Sequence, residues 1–172
     1  MSTKGRRQRR SIRLPDYDYS QSGAYFVTIC SYCRKHRFGE VIDGEVALSV
    51  DGRIVREEWF NTADIRKNVT LLEDEFVIMP NHIHGIIHLE HIVGAHRRRA
   101  PTSMEQFGKP VAGSLSTIIR AYKSKVTRRI NIKRGIKGES VWQRGYIERI
   151  VRDEKDLTII RRYISNNPVR WG

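Results

Sequence analysis

Phe76-Val77-Ile78-Met79-Pro80-Asn81-His82-Ile83-His84-Gly85-Ile86-Ile87-His88-Leu89, residues 76–89, decides the fold class. The first four residues are a short apolar run of the kind that forms a buried strand. Pro80-Asn81 breaks the run, and residues 82–89 resume it as a second strand. Side chains two apart on a strand face the same side, so His82 and His84 present two imidazoles together. His88 shares their parity but lies about 13 Å further along the strand, which makes it a supporting or structural residue. The i,i+4 spacing of His84 and His88 also occurs in zinc-protease helices. Here the glutamate that would follow the first histidine as general base is missing, and the composition is that of a strand.

Outward from this segment the elements mix. Residues 24–32 alternate and are rich in β-branched and aromatic types, which reads as a strand. The stretch 38–49 reads as a hairpin turning at Asp43-Gly44. A helix is expected from Asp51 to Ala63, with Val55, Trp59 and Ala63 on one face. Downstream, residues 94–113 hold Gly, Pro and three consecutive arginines with no periodicity, and so read as a basic loop. A helix capped near Ser114 follows, its apolar stripe made by Leu115, Ile118, Ile119, Tyr122, Val126 and Ile130. Arg120, Lys123, Lys125 and Arg128 lie off that stripe. Residues 141–151 read as a strand or hairpin arm. A last helix begins at Asp153, which forms a capping-box-like pair with Asp156, and stops at Pro168. Without regular βα alternation, the expectation is an α+β fold: an antiparallel-rich sheet with packed helices.

The 172 residues suit one domain, read as 14–172 behind a basic flexible tail at 1–13. An apolar share of 39% and a charged share of 30% are those of a soluble globular protein. No apolar run is long enough to span a membrane, and the basic start has no apolar segment behind it, so no membrane partner and a cytoplasmic location are expected. Thirty-two basic against nineteen acidic residues leave a net charge of +13, and a polyanion such as nucleic acid is the partner this implies. Cys30 and Cys33 read as packing cysteines on opposite faces of a strand, since no second pair completes a metal site. There is no Gly-rich phosphate loop, so ATP hydrolysis is not expected.

Two constellations carry chemistry. His82 and His84 supply two neutral nitrogens suited to a divalent metal. On the last helix Tyr163 and Asn167 are four apart and share a face, with Leu157, Ile160 and Ile164 as the buried stripe beside them. A phenol attacks phosphorus when its proton is removed and the developing charge is stabilised. An Asn carbonyl is a reasonable third ligand beside two imidazoles. Each signal alone has a plain packing explanation, and their combination with a basic helix is what points to nucleic-acid chemistry. Tyr146 and Tyr122 are rival nucleophiles, but the first sits in a strand-like run with no polar residue at ligand spacing in the sequence and the second on an apolar stripe.

PNHIHG (80–85), WQRGYIERIVRDEKDL (142–157) and YISNNPVRW (163–171) resemble blocks of the single-tyrosine HUH transposases, in particular the REP-associated, IS200-like branch. The stretches 9–30 and 113–131 are similar to it as well, so the resemblance runs over residues 10–172. It implies a ferredoxin-like α+β domain with a central antiparallel sheet. It further implies that His82, His84 and Asn167 hold Mg²⁺ or Mn²⁺, and that Tyr163 is the nucleophile forming a 5′-phosphotyrosine and releasing a 3′-OH. The implied substrate is single-stranded or hairpin DNA; from the charge pattern itself, Arg120, Lys123, Lys125, Arg128 and Arg144 are the cations expected to contact its backbone. By softness alone, imidazole ligands suit Mn²⁺ better than Mg²⁺. Members often carry a histidine after the acidic residue of the second block, where this chain has Arg149, so that histidine's role does not transfer. The alternative is a domesticated DNA-binding protein that keeps the fold without cutting. A homodimer is open beside a monomer.

Overall fold

The structure, a computed structural model, describes residues 19–90 and 111–171. The tail at 1–13, and the basic loop as far as residue 110, lie outside the described residues. Along the chain run β1 (Gly23–Cys30), the hairpin β2 (Gly39–Ile42) and β3 (Glu45–Leu48), α1 (Val50–Ile65), the two-residue β4 (Val69–Thr70), β5 (Phe76–Met79), β6 (His82–Leu89), α2 (Leu115–Arg134), β7 (Ile147–Val151) and α3 (Glu154–Ser165). Asp43 and Gly44 both adopt positive φ, the conformation that closes a two-residue hairpin with the right twist.

The main sheet has the order β4-β6-β1-β7, with β5 on the same edge of β6 as β4, and every pairing is antiparallel. Setting the β2–β3 hairpin aside, β1–α1–β5–β6–α2–β7 is a split βαβ arrangement, so the α+β, ferredoxin-like expectation holds. The two longest strands occupy the centre because both of their faces are covered. Tyr25, Val27 and Ile29 of β1 are fully buried under α1 and α2, in a core that includes every residue of the expected α2 stripe. Phe26 and Ala24 point to the opposite face, where α3 lays Leu157, Ile160 and Ile164 on Ile86. Gly85 permits the tight contact with α1: a Cβ there would come within 2.4 Å of the Trp59 ring.

Boundaries differ from expectation in three places, each for a local reason. β1 stops at Cys30, because Ser31 turns into a short 3-10 segment (Tyr32–Arg34) in which Cys33 and Arg34 both have positive φ. Cys33 is therefore exposed and unpacked, while Cys30 stays half-buried; the reading of both as packing cysteines fails for Cys33. Of residues 141–151, only Ile147–Val151 is a strand. Trp142 makes a single bridge to Ser31, and Gly145 turns the chain at φ 74° before β7 begins. The last helix ends at Ser165, ahead of Pro168.

Candidate active site

The site forms where β1 ends and β6 begins. Register pairs Cys30 with His82 and Thr28 with His84, so all four side chains project from the α3 face. His82 Nε2 and His84 Nε2 approach to 3.0 Å. Behind them, the outer ring nitrogens are held: His82 Nδ1 lies 2.6 Å from Asn81 Oδ1, and His84 Nδ1 lies 2.8 Å from the Thr28 hydroxyl. Asn81 Oδ1 can only accept, so the His82 proton sits on Nδ1 and its Nε2 lone pair faces the partner ring. A hydroxyl behind His84 adapts to either tautomer.

Burial keeps both rings neutral. Desolvation lowers the His82 pKa to about 4, with the Arg34 charge adding to the effect. Desolvation, reinforced by His82, lowers that of His84 to about 3. Two neutral imidazoles with converging nitrogens are a preformed pair of metal donors. Two ligands at about 2.1 Å on adjacent octahedral positions lie about 3.0 Å apart, so the observed spacing fits a small divalent cation. Among the described residues no further His, Cys, Asp or Glu joins the pair to make a three-membered cluster.

Tyr163 arrives from the last turn of α3. Its hydroxyl is 3.3 Å from His84 Nε2, the nitrogen that also faces His82. The phenol ring packs edge-on against His84 and Phe26, yet the residue stays 46% exposed, open to a large substrate. The two rival tyrosines are elsewhere. Tyr122 is buried, donates to the Val55 carbonyl and has its pKa raised well above 10 by burial and Glu58; Tyr146 packs against the main core. Asn167 lies past the helix end, its N–H bonded to Ile164 O. No hydrogen bond joins its side-chain amide to either imidazole among the described residues.

Ionic ties hold α3 on the sheet. Glu75 is fully buried, and its carboxylate receives Arg161 of α3 at 2.7 Å on one oxygen and His88 Nε2 at 2.5 Å on the other. His88 is thus structural, as its distance from the pair suggests. Arg149 of β7 pairs with Asp156 near the start of α3. Arg149 thus ties β7 to the helix that carries Tyr163.

The expected DNA-contacting cations do not share one face. Lys123 donates to the carbonyls of Gln143 (2.7 Å) and Gly145 (2.8 Å), bracing the turn that carries Arg144. Its pKa is lowered to about 8, chiefly by burial. Exposed Arg128 and Arg144 line one cavity of about 550 Å³ with it. Lys125 lines a second cavity with Arg128, Asp64 and Glu58, and Arg120 lines a third with Arg66. Gln143, which also lines the Arg128–Arg144 cavity, bonds its N–H to Cys30 O, the residue paired with His82, while α2 itself covers the sheet face away from the imidazoles. Thr28 is a site residue that sequence reading missed. Only the β1–β6 register reveals it, whereas Asn81 could have been found as the polar neighbour of His82.

No family model matches the chain. It is 39% identical over 178 residues to an uncharacterized protein of Haemophilus influenzae, covering 99% of this chain and 96% of that one. Among solved structures it is similar to a REP-associated tyrosine transposase bound to a REP hairpin. That match has a TM-score of 0.60 at 19% identity and covers 92% of this chain and 73% of the other. A candidate transposase of Deinococcus radiodurans R1 aligns over 90% of this chain and 95% of its own. Its 17% identity and TM-score of 0.42 are too low to support a shared fold.

Proposed function

The chain belongs to one family with the Haemophilus influenzae protein and has the fold of a REP-associated tyrosine transposase; from that premise we propose that it is a metal-dependent single-stranded DNA endonuclease and strand transferase. One observation carries the reading: the Tyr163 hydroxyl stands 3.3 Å from His84 Nε2, which in turn faces His82 Nε2 at 3.0 Å. A nucleophile and a pair of metal donors meet at one point, on an open surface of a strongly basic chain. The solved relative's hairpin supports DNA as the substrate class, with an imperfect palindrome folded on itself as its form.

In this proposal His82 and His84 hold Mg²⁺ or Mn²⁺, and Asn167 is the candidate third ligand. Bound there, the cation would act as a Lewis acid on a non-bridging oxygen of the scissile phosphate. Tyr163 supplies the attacking oxygen: its bond to phosphorus forms as the bond to the 3′ oxygen breaks. The phenol gives up a proton and the departing 3′ oxygen gains one. A 5′-phosphotyrosine conserves the bond energy, so a 3′-OH of another strand can reverse the step and join the ends. Asn81 and Thr28 hold the imidazoles in orientation, a role that typically changes metal affinity or activity about 10- to 100-fold on mutation. Arg128 and Arg144 hold the backbone leading into the site.

The test is capture of the covalent adduct. Labelled single-stranded hairpin oligonucleotides with Mn²⁺ or Mg²⁺ should give a denaturation-resistant protein–DNA band that requires metal and disappears in Tyr163→Phe. Survival of the band in that variant would move the nucleophile elsewhere. DNA binding with no band at all would favour the non-cleaving binder.

A further inference from the structure

Two of the three tryptophans belong to the core: Trp59 and Trp142 are 2% and 7% exposed. The third, Trp171, is partly exposed beside the histidine pair. A turn after α3 holds it there, with Arg170 N–H donating to the carbonyl of Asn166 and Trp171 N–H to that of Pro168, both at 3.2 Å. Its ring centroid lies 5.8 Å from that of His82 and 5.6 Å from that of His36. The rings of Tyr163, His84, His82, Trp171 and His36 therefore form one row, with the first two steps at 5.1 and 4.6 Å. Tyr163 is at one end, and the tryptophan lies beyond the histidine pair, next to His36 at the other.

The surroundings of Trp171 are not those of a packing residue. Its two ring neighbours are polar imidazoles, tilted 40° and 60° to it rather than stacked flat. Arg34 and Arg170 are exposed at this end, and neither pairs with a carboxylate among the described residues. Arg34 reaches its place only through the positive-φ turn at Cys33 and Arg34, and backbone held in that region tends to mark a functional site. Cations for phosphates and an aromatic face for bases are the two parts from which single-strand sites are built.

Resting on the reading of Tyr163 and the histidine pair as a DNA-cleaving site, we infer that Trp171 is the stacking platform for a nucleobase next to the scissile phosphate, with Arg34 and Arg170 meeting the adjoining backbone. Stacking does not read base identity, so the platform accepts any base. It demands an unpaired one, because a base inside a duplex already has both faces covered. The site would thus require single-stranded DNA at this nucleotide even when the rest of the substrate is a hairpin.

The experiment uses the full-length protein without metal, titrated with oligothymidylate and with an abasic oligomer of the same length. Oligothymidylate should quench the tryptophan emission, the abasic strand should not, and the quench should vanish in Trp171→Phe. Trp171→Ala should weaken oligothymidylate binding about 5- to 150-fold, the range for removal of one stacked base. It should leave abasic binding unchanged, and Trp171→Phe should restore most of the affinity. The inference is overturned if the two oligomers bind wild type equally, if neither binds, or if Trp171→Ala lowers Mn²⁺ affinity while nucleic-acid affinity stays. The last outcome would make the ring a support for His82. No cleavage is involved, so a clear quench without a covalent adduct would sink the nuclease reading and the placement beside a scissile phosphate, while leaving Trp171 as a stacking platform of a non-cleaving site.

Discussion

His82 and His84 are useful because of atoms behind them. A histidine is a ligand only while the nitrogen facing the metal is unprotonated, and Asn81 and Thr28 occupy the opposite nitrogens. Burial does the rest, at a cost that pH reveals. Native pKa values of about 4 and about 3 against an ordinary 6.5 mean that both rings take up protons more readily unfolded than folded. Metal-free stability should then decline as pH falls from about 6.5 towards 3. Thermal melts across that range should show the decline in wild type and a flatter profile in the His82→Gln, His84→Gln double variant. An equal slope in both would show that other groups carry the acid sensitivity.

α3 carries Tyr163, the proposed nucleophile, but little apolar surface holds it down. Its apolar anchor is three residues on Ile86 and its neighbours, and the remainder is ionic. Glu75 has no exposure and depends on Arg161, 37% exposed, with His88 for its second partner. Removing Arg161 strands a buried carboxylate, so Arg161→Met should cost about 3 kcal/mol, the low end for a broken buried pair. Adduct formation should fall further than DNA affinity, because the tie sets where Tyr163 stands rather than what binds DNA. Chemical denaturation and the adduct assay together check this, and unchanged stability would mean that His88 alone satisfies Glu75. Asp153 starts the same helix by accepting from the Asp156 N–H at 2.7 Å.

Across the molecule a net charge of +13 is unevenly available. Arg129 is paired with Glu57 and Glu58, Arg134 with Asp51, and Lys123 is held by two carbonyls. Arg128 and Arg144 remain exposed in one cavity. Affinity for single strands should therefore fall steeply with salt. Arg128→Ala with Arg144→Ala should flatten the log–log slope by about 0.7 for each phosphate that is no longer neutralised. Lys123→Met should weaken binding through the Arg144 turn more than through its own charge. A slope unchanged in the double variant would place the DNA on another face.

Periodicity is a local property, and what depends on it was legible in the chain alone: β5 and β6, the Asp43-Gly44 turn, the α2 stripe, the Asp153 cap and the side-by-side histidines. Tyr163 was also legible, through its place in a motif rather than through spacing, since α3 ends at Ser165, short of Asn167. The pairing of β1 with β6 was not. It alone brings Thr28 behind His84, and the docking of α3, by its apolar stripe and its ion pairs, brings Tyr163 within 3.3 Å of His84. Register and docking are set by long-range packing between distant segments, such as Glu75 and Arg161, 86 residues apart, which no local window of sequence contains. The same holds for Lys123 and Trp171. Whether a cation is exposed or already engaged, and whether a tryptophan lies in the core or beside the histidine pair, is decided by what the folded chain lays against it.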